Sequence, residues 1–290
     1  MGNQNNSLFK NYLSLVKFSH TIFAMPFAFI GFFLAYKVTQ ADFNWSILIL
    51  VILCMVFARN AAMSFNRVVD RYIDIKNPRT SGREIPKGII SAKSAIIFTI
   101  LNAFLFILTT WFINRLVFFL SPIALSVILL YSYTKRWTIL CHLVLGLGLS
   151  LAPIGAYLAV TGRFDLVPIL YSVIVLFWVG GFDIIYSLQD EDFDKIESLK
   201  SIPAAVGKKY ALRIAALFHV IVALLVIIVG LKVNANSWYW AGSIIFIALL
   251  VYQHSIISPK DIKRVNLAFA TTNGFASIIF AIFNILNYIL

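Results

Sequence analysis

Long apolar stretches broken by short polar turns alternate along almost the entire chain. Nine of them, at approximately 18–38, 46–66, 94–113, 116–134, 138–160, 166–188, 211–232, 237–257 and 264–288, are close to the roughly 20 residues a helix needs to cross a bilayer core. Backbone polar groups in hydrocarbon must be satisfied within the segment, which selects helices for runs of this length. The connections are too short to hold a separate soluble domain. The pattern therefore predicts an all-α, multi-pass membrane protein, with nine transmembrane helices in a single bundle forming one domain over 1–290.

Composition agrees, since 61% of the residues are hydrophobic and 12% charged, against about a quarter charged in soluble domains. The basic residues give an orientation, because loops on the cytoplasmic side collect Lys and Arg. With the N-terminus inside, nineteen of them fall on the cytoplasmic side and four (Lys37, Arg115, Arg163 and Lys232) outside. The expected location is a bacterial inner (plasma) membrane. The net charge of +12 then reads as topology plus attraction to anionic headgroups, and no nucleic-acid partner is needed. Cys54 and Cys141 lie in apolar spans without metal or disulfide spacing. The start, MGNQNNSLFK, reads as a short polar tail rather than a signal peptide.

Two polar stretches interrupt this apolar background with a shared spacing. Asn66, Asp70 and Asp74 follow i, i+4, i+8, and Tyr186, Asp190 and Asp194 repeat it 120 residues later. Each set is followed by an Ile-Pro pair and a glycine, Ile85-Pro86 with Gly88 and Ile202-Pro203 with Gly207. The stretches 66–88 and 183–207 thus form an internal pseudo-repeat. A helix continuing through each set would align its polar side chains on one face.

Rows of hard oxygen ligands suit Mg²⁺, which takes one or two carboxylates and completes its shell with water and substrate phosphates. A diphosphate whose tail lies in the bilayer is the matching partner. Asn66, Asp70 and Asp74 on one side and Asp190 and Asp194 on the other are the candidate metal positions. Arg67, Arg71, Lys135 and Lys200 are candidates for its outer oxygens. Tyr131, four residues before Lys135, and Tyr186 add hydroxyls.

Arg59 lies within the second span on the same helical face as Asn66. A charge at that depth normally points into a cavity with a partner, so Arg59 is the candidate clamp for an acidic group on a second substrate. His20, at the cytoplasmic end of the first span, is a candidate for lining the entry. Asp183 sits one turn before Tyr186 at a depth that demands a partner or a task, and Asp183 or Asp190 is the candidate proton acceptor. No role is assigned to His142. Together these parts fit the ionisation of an allylic diphosphate and capture of the cation by an electron-rich aromatic ring.

NRVVDRYID resembles the NxxxDxxxD motif, and DIIYSLQDEDFD the DxxYxxxDxxxD motif, of the intramembrane aromatic prenyltransferases of the UbiA superfamily. The resemblance extends to SHTIFAMPFAF, ARNAAMSF, KNPRTSGREIPKG, YSYTKR and SIPAAVG. It implies a nine-helix fold around a lipid-accessible cavity, Mg²⁺ dependence, a polyprenyl diphosphate donor and catalysis on the cytoplasmic side. Lys135 matches the basic residue of the family's YxxxK pattern. KNPRTSGREIPKG and SHTIFAMPFAF are most similar to the 4-hydroxybenzoate polyprenyltransferases of ubiquinone biosynthesis. Similar enzymes of an alternative menaquinone pathway would use 1,4-dihydroxy-6-naphthoate, and a carboxylate on either acceptor suits Arg59.

A transporter of divalent cations or lipid phosphates is the rival from another class. It needs ionisable residues along a path to both faces. Ten of the twelve acidic residues lie toward the cytoplasm, and only Asp42 and Asp165 lie outside.

Overall fold

Side-chain caps set where most of the long helices begin. The Asn44 side chain accepts the amides of Ser46 and Ile47, Asn114 that of Val117, and Asn236 that of Trp238; Ser91 and Ser201 do the same for Ser94 and Ala204. Each satisfies donors that the first turn leaves without intrahelical partners. The computed structural model describes residues 10–16 and 24–290. Its long helices are α1 (Met25–Thr39), α2 (Trp45–Val69), α3 (Ala92–Trp111), α4 (Arg115–Trp137), α5 (Cys141–Thr161), α6 (Leu166–Ser187), α7 (Ile202–Lys232), α8 (Ser237–Ser255) and α9 (Asn273–Ile289). Among the described residues the only extended pairing is an isolated bridge between Ser258 and Asp261.

Seven helical segments are long and apolar enough to cross a membrane: α2 to α7 and the one that ends as α9. α1 is apolar but has 15 residues. α8 carries Trp238, Tyr239, Trp240, Gln253 and His254, which dilute its hydropathy. The expectation of nine spans thus meets seven by length and composition, with α1 and α8 as the remaining two helices.

The long helices form one bundle. α2 packs on α3 and α4, α5 on α4 and α6, α6 on α7, α1 on α5 and α9, and α8 on α9. Burying apolar side chains gains little when the alternative is lipid, so close fit and interhelical hydrogen bonds hold such a bundle. At Gly146 a Cβ would stand 2.3 Å from the carbonyl oxygen of Leu176, so only glycine lets α5 lie this close to α6. Trp178 is fully buried among Phe27, Phe182 and Phe246, with ring centroids 5.0 to 6.0 Å away. Its Nε1–H donates to Asn273 at 3.2 Å, and the Tyr171 hydroxyl bonds Asn284 and Tyr288. Each such interhelical bond contributes on the order of 1 kcal/mol. Phe104, Phe119 and Ile244 are at least 60% exposed, a liability in water and a proper surface for acyl chains.

Candidate functional site

Both acidic motifs break their helices at the central aspartate. α2 ends at Val69 and a short helix, Arg71–Lys76, follows Asp70, whose φ and ψ are −89° and 2°. α6 passes through a 3₁₀ turn, Leu188–Asp190, into a short helix, Glu191–Ile196, and Asp190 has φ −100° and ψ 1°. The continuous helix expected through each motif is therefore corrected to two helices joined at an aspartate in the bridge region. Main-chain bonds from Asp70 N to the Asn66 carbonyl and from Asp74 N to the Asp70 carbonyl, 2.9 and 2.8 Å, carry the i, i+4 spacing across the first break. Gly88 and Gly207, which close the Ile-Pro punctuation, both have positive φ, 71° and 77°. A Cβ at either position would meet no neighbour within 4 Å, so backbone conformation rather than space calls for glycine.

Each of the four motif carboxylates is paired with a cation. Arg83 Nη1 donates to both oxygens of Asp74, at 2.7 and 2.9 Å. Arg79 grips Asp190 through Nε at 2.9 Å and Nη2 at 2.6 Å, and Asn77 adds a donor at 3.2 Å. Lys135 reaches Asp194 at 3.2 Å, and Arg136 reaches Asp70 at 2.9 Å. Asp74, Asp190 and Asp194 are buried, and buried charges persist only when paired and hydrogen-bonded. Burial pulls Arg79 downward, but the bonds to Asp190 outweigh it and hold the guanidinium above its ordinary value. Asp70 is held above the usual carboxylate value by burial, against the pull of Arg136.

Several expected residues join this cluster. The Asn66 side chain donates to Asp70 at 2.9 Å, and the Tyr186 hydroxyl accepts from Arg79 at 3.0 Å. The Tyr186 ring stacks on Phe269, 4.1 Å between centroids, from a π-helical turn, Leu267–Thr272, that precedes α9. Arg67 is 4% exposed, and among the described residues its Nε has no hydrogen-bond partner.

Others lie apart. Arg71 turns onto the Val68 carbonyl and the Tyr72 ring, and the Lys200 ammonium binds the Trp137 carbonyl at 3.1 Å. His20 lies outside the described residues. Asn77, Arg79, Arg83 and Arg136 are the residues that spacing missed. The polar segment KNPRTSGREIPKG between α2 and α3 was the available signal for the first three, because it is dense in side chains that bind carboxylates.

Beneath the motifs a cavity of about 380 Å³ runs between α2, α3, α4 and α5. Asn66, Met63, Arg59 and Tyr131 line one end, and Gly155 and Phe164 belong to the other. Its α2 wall, from Asn66 to Val51, is roughly 22 Å long at 1.5 Å per residue. Ile123 lines it while remaining 62% exposed, so the cavity opens sideways at α4. Arg59 is the charged group on an otherwise mostly apolar wall.

The donor set fits a hard divalent cation that arrives with further oxygens. Among the described residues no three His, Cys, Asp or Glu side chains converge on one point, so a metal here would take its remaining ligands from water or other oxygens. The Arg67 Nε, unpartnered among the described residues, and the cations on Asp70, Asp74, Asp190 and Asp194 provide for an anion beside it.

A helical membrane bundle with two acidic motifs above a laterally open apolar cavity fits the class of intramembrane enzymes that act on lipid-tailed substrates. The profile of the UbiA prenyltransferase family matches residues 24–280, and the chain belongs to that family. It is a prenyltransferase and an integral membrane protein. A 4-hydroxybenzoate octaprenyltransferase of Aliivibrio fischeri is 31% identical over 240 residues, covering 82% of each chain. The apo structure of a UbiA homolog from Aeropyrum pernix K1 superposes with a TM-score of 0.83 at 29% identity, covering 92% of this chain and 97% of that one. A UbiA homolog from Archaeoglobus fulgidus bound to GPP and Mg²⁺ shares the fold, with a TM-score of 0.69 at 22% identity over 92% of this chain and 99% of its own.

Proposed function

We propose that the protein transfers a polyprenyl group from polyprenyl diphosphate to an aromatic acid, with 4-hydroxybenzoate as the acceptor, at the cytoplasmic face of the membrane. The observation that carries this reading is Arg59 on the wall of an apolar cavity whose mouth is framed by Asn66 and Tyr131 beneath four cation-paired carboxylates. The relatives named for 4-hydroxybenzoate support the acceptor, and the excess of basic residues on one set of loops supports the orientation. All nine long helices cross the membrane in this reading. An acceptor of the naphthoate type would use the same Arg59.

Asn66, Asp70, Asp74, Asp190 and Asp194 would hold Mg²⁺, which, when bound, supplies positive charge where the leaving diphosphate becomes more negative. Arg67, Lys135 and the Tyr131 and Tyr186 hydroxyls bind the diphosphate oxygens, and Arg79, Arg83 and Arg136, beside the same carboxylates, would join them. Arg71 and Lys200 reach it only by leaving their present carbonyl partners. This stabilisation grows as the C–O bond breaks, so it lowers the barrier rather than only tightening binding. The prenyl tail lies in the cavity, whose apolar walls keep water from the allylic cation. Arg59 holds the acceptor's carboxylate.

The test uses membrane fractions, radiolabelled polyprenyl diphosphate and Mg²⁺, with 4-hydroxybenzoate and 1,4-dihydroxy-6-naphthoate offered in parallel and EDTA as control. Transfer to 4-hydroxybenzoate that EDTA abolishes is the expected result. Transfer to the naphthoate alone moves the enzyme to menaquinone synthesis. Failure with both rings, for folded protein and donors of several lengths, removes the proposal.

A further inference from the structure

His142 stands at the first turn of α5, fully buried, beside the last turn of α6 and the start of α7. Its Nδ1 lies 2.7 Å from Asp183 Oδ2, and its Nε2 accepts the main-chain N–H of Ile202 at 3.3 Å. A ring nitrogen that accepts an N–H must keep its lone pair. That contact fits a neutral imidazole whose single N–H is on Nδ1 and is donated to Asp183. The adjoining chain is tied down as well: Lys200 N donates to the Lys135 carbonyl at 2.6 Å, and Cys141 Sγ contacts the Lys200 carbonyl at 3.5 Å. Three helix ends thus fix the ring in position.

Asp183 differs from the four carboxylates at the candidate metal positions. No arginine or lysine pairs with it among the described residues; its one bond is to His142, and 17% of its side chain remains accessible. Asp190, the other candidate base, is held by three donated bonds from Arg79 and Asn77.

We propose that His142 is a positioning residue for prenyl transfer: it fixes Asp183 so that the second carboxylate oxygen takes the proton released by the aromatic ring. This rests on the reading of the site as an aromatic prenyltransferase. In that step the allylic C1–O bond breaks and diphosphate leaves with the bonding pair. A ring carbon bonds to C1, the C–H proton passes to Asp183, and its electron pair restores the aromatic ring. The His142 proton stays on Nδ1 throughout.

The test compares purified full-length variants using the donor and ring that the wild type accepts. Loss of a general base or its alignment costs about 100-fold or more in rate, so His142→Leu lowers kcat by about that factor while the KM of each substrate stays within about threefold. His142→Asn presents an amide N–H near the place of Nδ1 and recovers most of the rate. Asp183→Asn is at least as slow as His142→Leu, and adding His142→Leu to it costs no more than about twofold, because residues acting as one unit are not additive. Wild-type kcat in His142→Leu, no rescue by His142→Asn, or multiplying losses in the double variant overturns the proposal.

A second measurement needs neither turnover nor a stable leucine variant. ¹⁵N NMR of histidine-labelled wild type, assigned by difference from His142→Asn, should show a neutral ring protonated on Nδ1; an Nε2–H tautomer overturns the proposal. A wild type that transfers no prenyl group removes the enzymatic reading itself, a result distinct from slow variants of an active enzyme.

Discussion

Arg79 and Asp190 are 111 residues apart in the chain and meet in a two-pronged ion pair. The segment between α2 and α3 thereby reaches the second acidic motif, while Arg83, four residues on, holds Asp74 of the first. One connecting segment is tied to both halves of the site.

Removing Arg79 would leave the buried Asp190 carboxylate without its main partner. Deleting one member of a buried pair costs about 3–5 kcal/mol, and because 30% of the Arg79 side chain is exposed the expected loss for Arg79→Ala is nearer 2 kcal/mol. Thermal unfolding in detergent should register a drop of about 5 °C. Millimolar Mg²⁺ without substrate should recover part of it in the variant and change the wild type little. Lys76→Ala breaks an ion pair with Glu197 whose lysine is 59% exposed, and it should shift the midpoint by no more than about 1 °C.

Asp70→Asn and Asp190→Asn should each abolish turnover while the protein stays folded in detergent. Thermal unfolding and radiolabelled transfer, measured on the same preparation, separate the two effects. Near-wild-type transfer by both variants would rule out the paired metal-binding motifs.

Gly155 lies toward the far end of the cavity with nothing within 4 Å of a Cβ position. Gly155→Phe should cap the far end, so that short donors keep their kcat/KM and long ones lose about tenfold, a cost of about 1.4 kcal/mol. Competition between donors of different length in one assay reads this ratio directly. Gly146→Ala is expected to reduce the yield of folded protein with every donor, since its methyl meets the Leu176 carbonyl.

Arg59→Ala should chiefly weaken binding of the acceptor. An increase of at least tenfold in acceptor KM, with donor KM near its wild-type value, is the expected split for an interaction made equally in ground and transition states. An unchanged KM for carboxylate-bearing rings would remove Arg59 from the acceptor site.

Hydrophobic runs made the long helices legible with small boundary errors. The run expected at 46–66 is Trp45–Val69, and that at 166–188 is Leu166–Ser187. The start of α7 was missed, because Ser201 to Lys209 carries an N-cap, a proline and two lysines, so an apolar window opens only at residue 211 although the helix begins at Ile202. Within α7, Gly207 has φ 77° and ψ 162°, a region open almost only to glycine, and a kink of this kind leaves no mark on hydropathy.

In the candidate site, i, i+4 spacing nominates Asp70 with Asp74 and Asp190 with Asp194. It could not name their partners. Arg79 meets Asp190, and His142 meets Asp183 across 41 residues, through tertiary folding rather than along one helix. Periodicity also could not reveal that Arg71, on the correct helix, turns away to Val68 and Tyr72.

The pairing of Asp70, Asp74, Asp190 and Asp194 each with its own cation has a consequence for the order of events. A bare divalent ion entering the site would have to evict an arginine or lysine and strand it in a poorly solvated place, so it has little to gain. The same ion riding on a diphosphate changes that exchange, because each evicted cation immediately finds a phosphate oxygen. If a divalent ion serves this site, it and the prenyl donor are expected to enter together, as a single passenger.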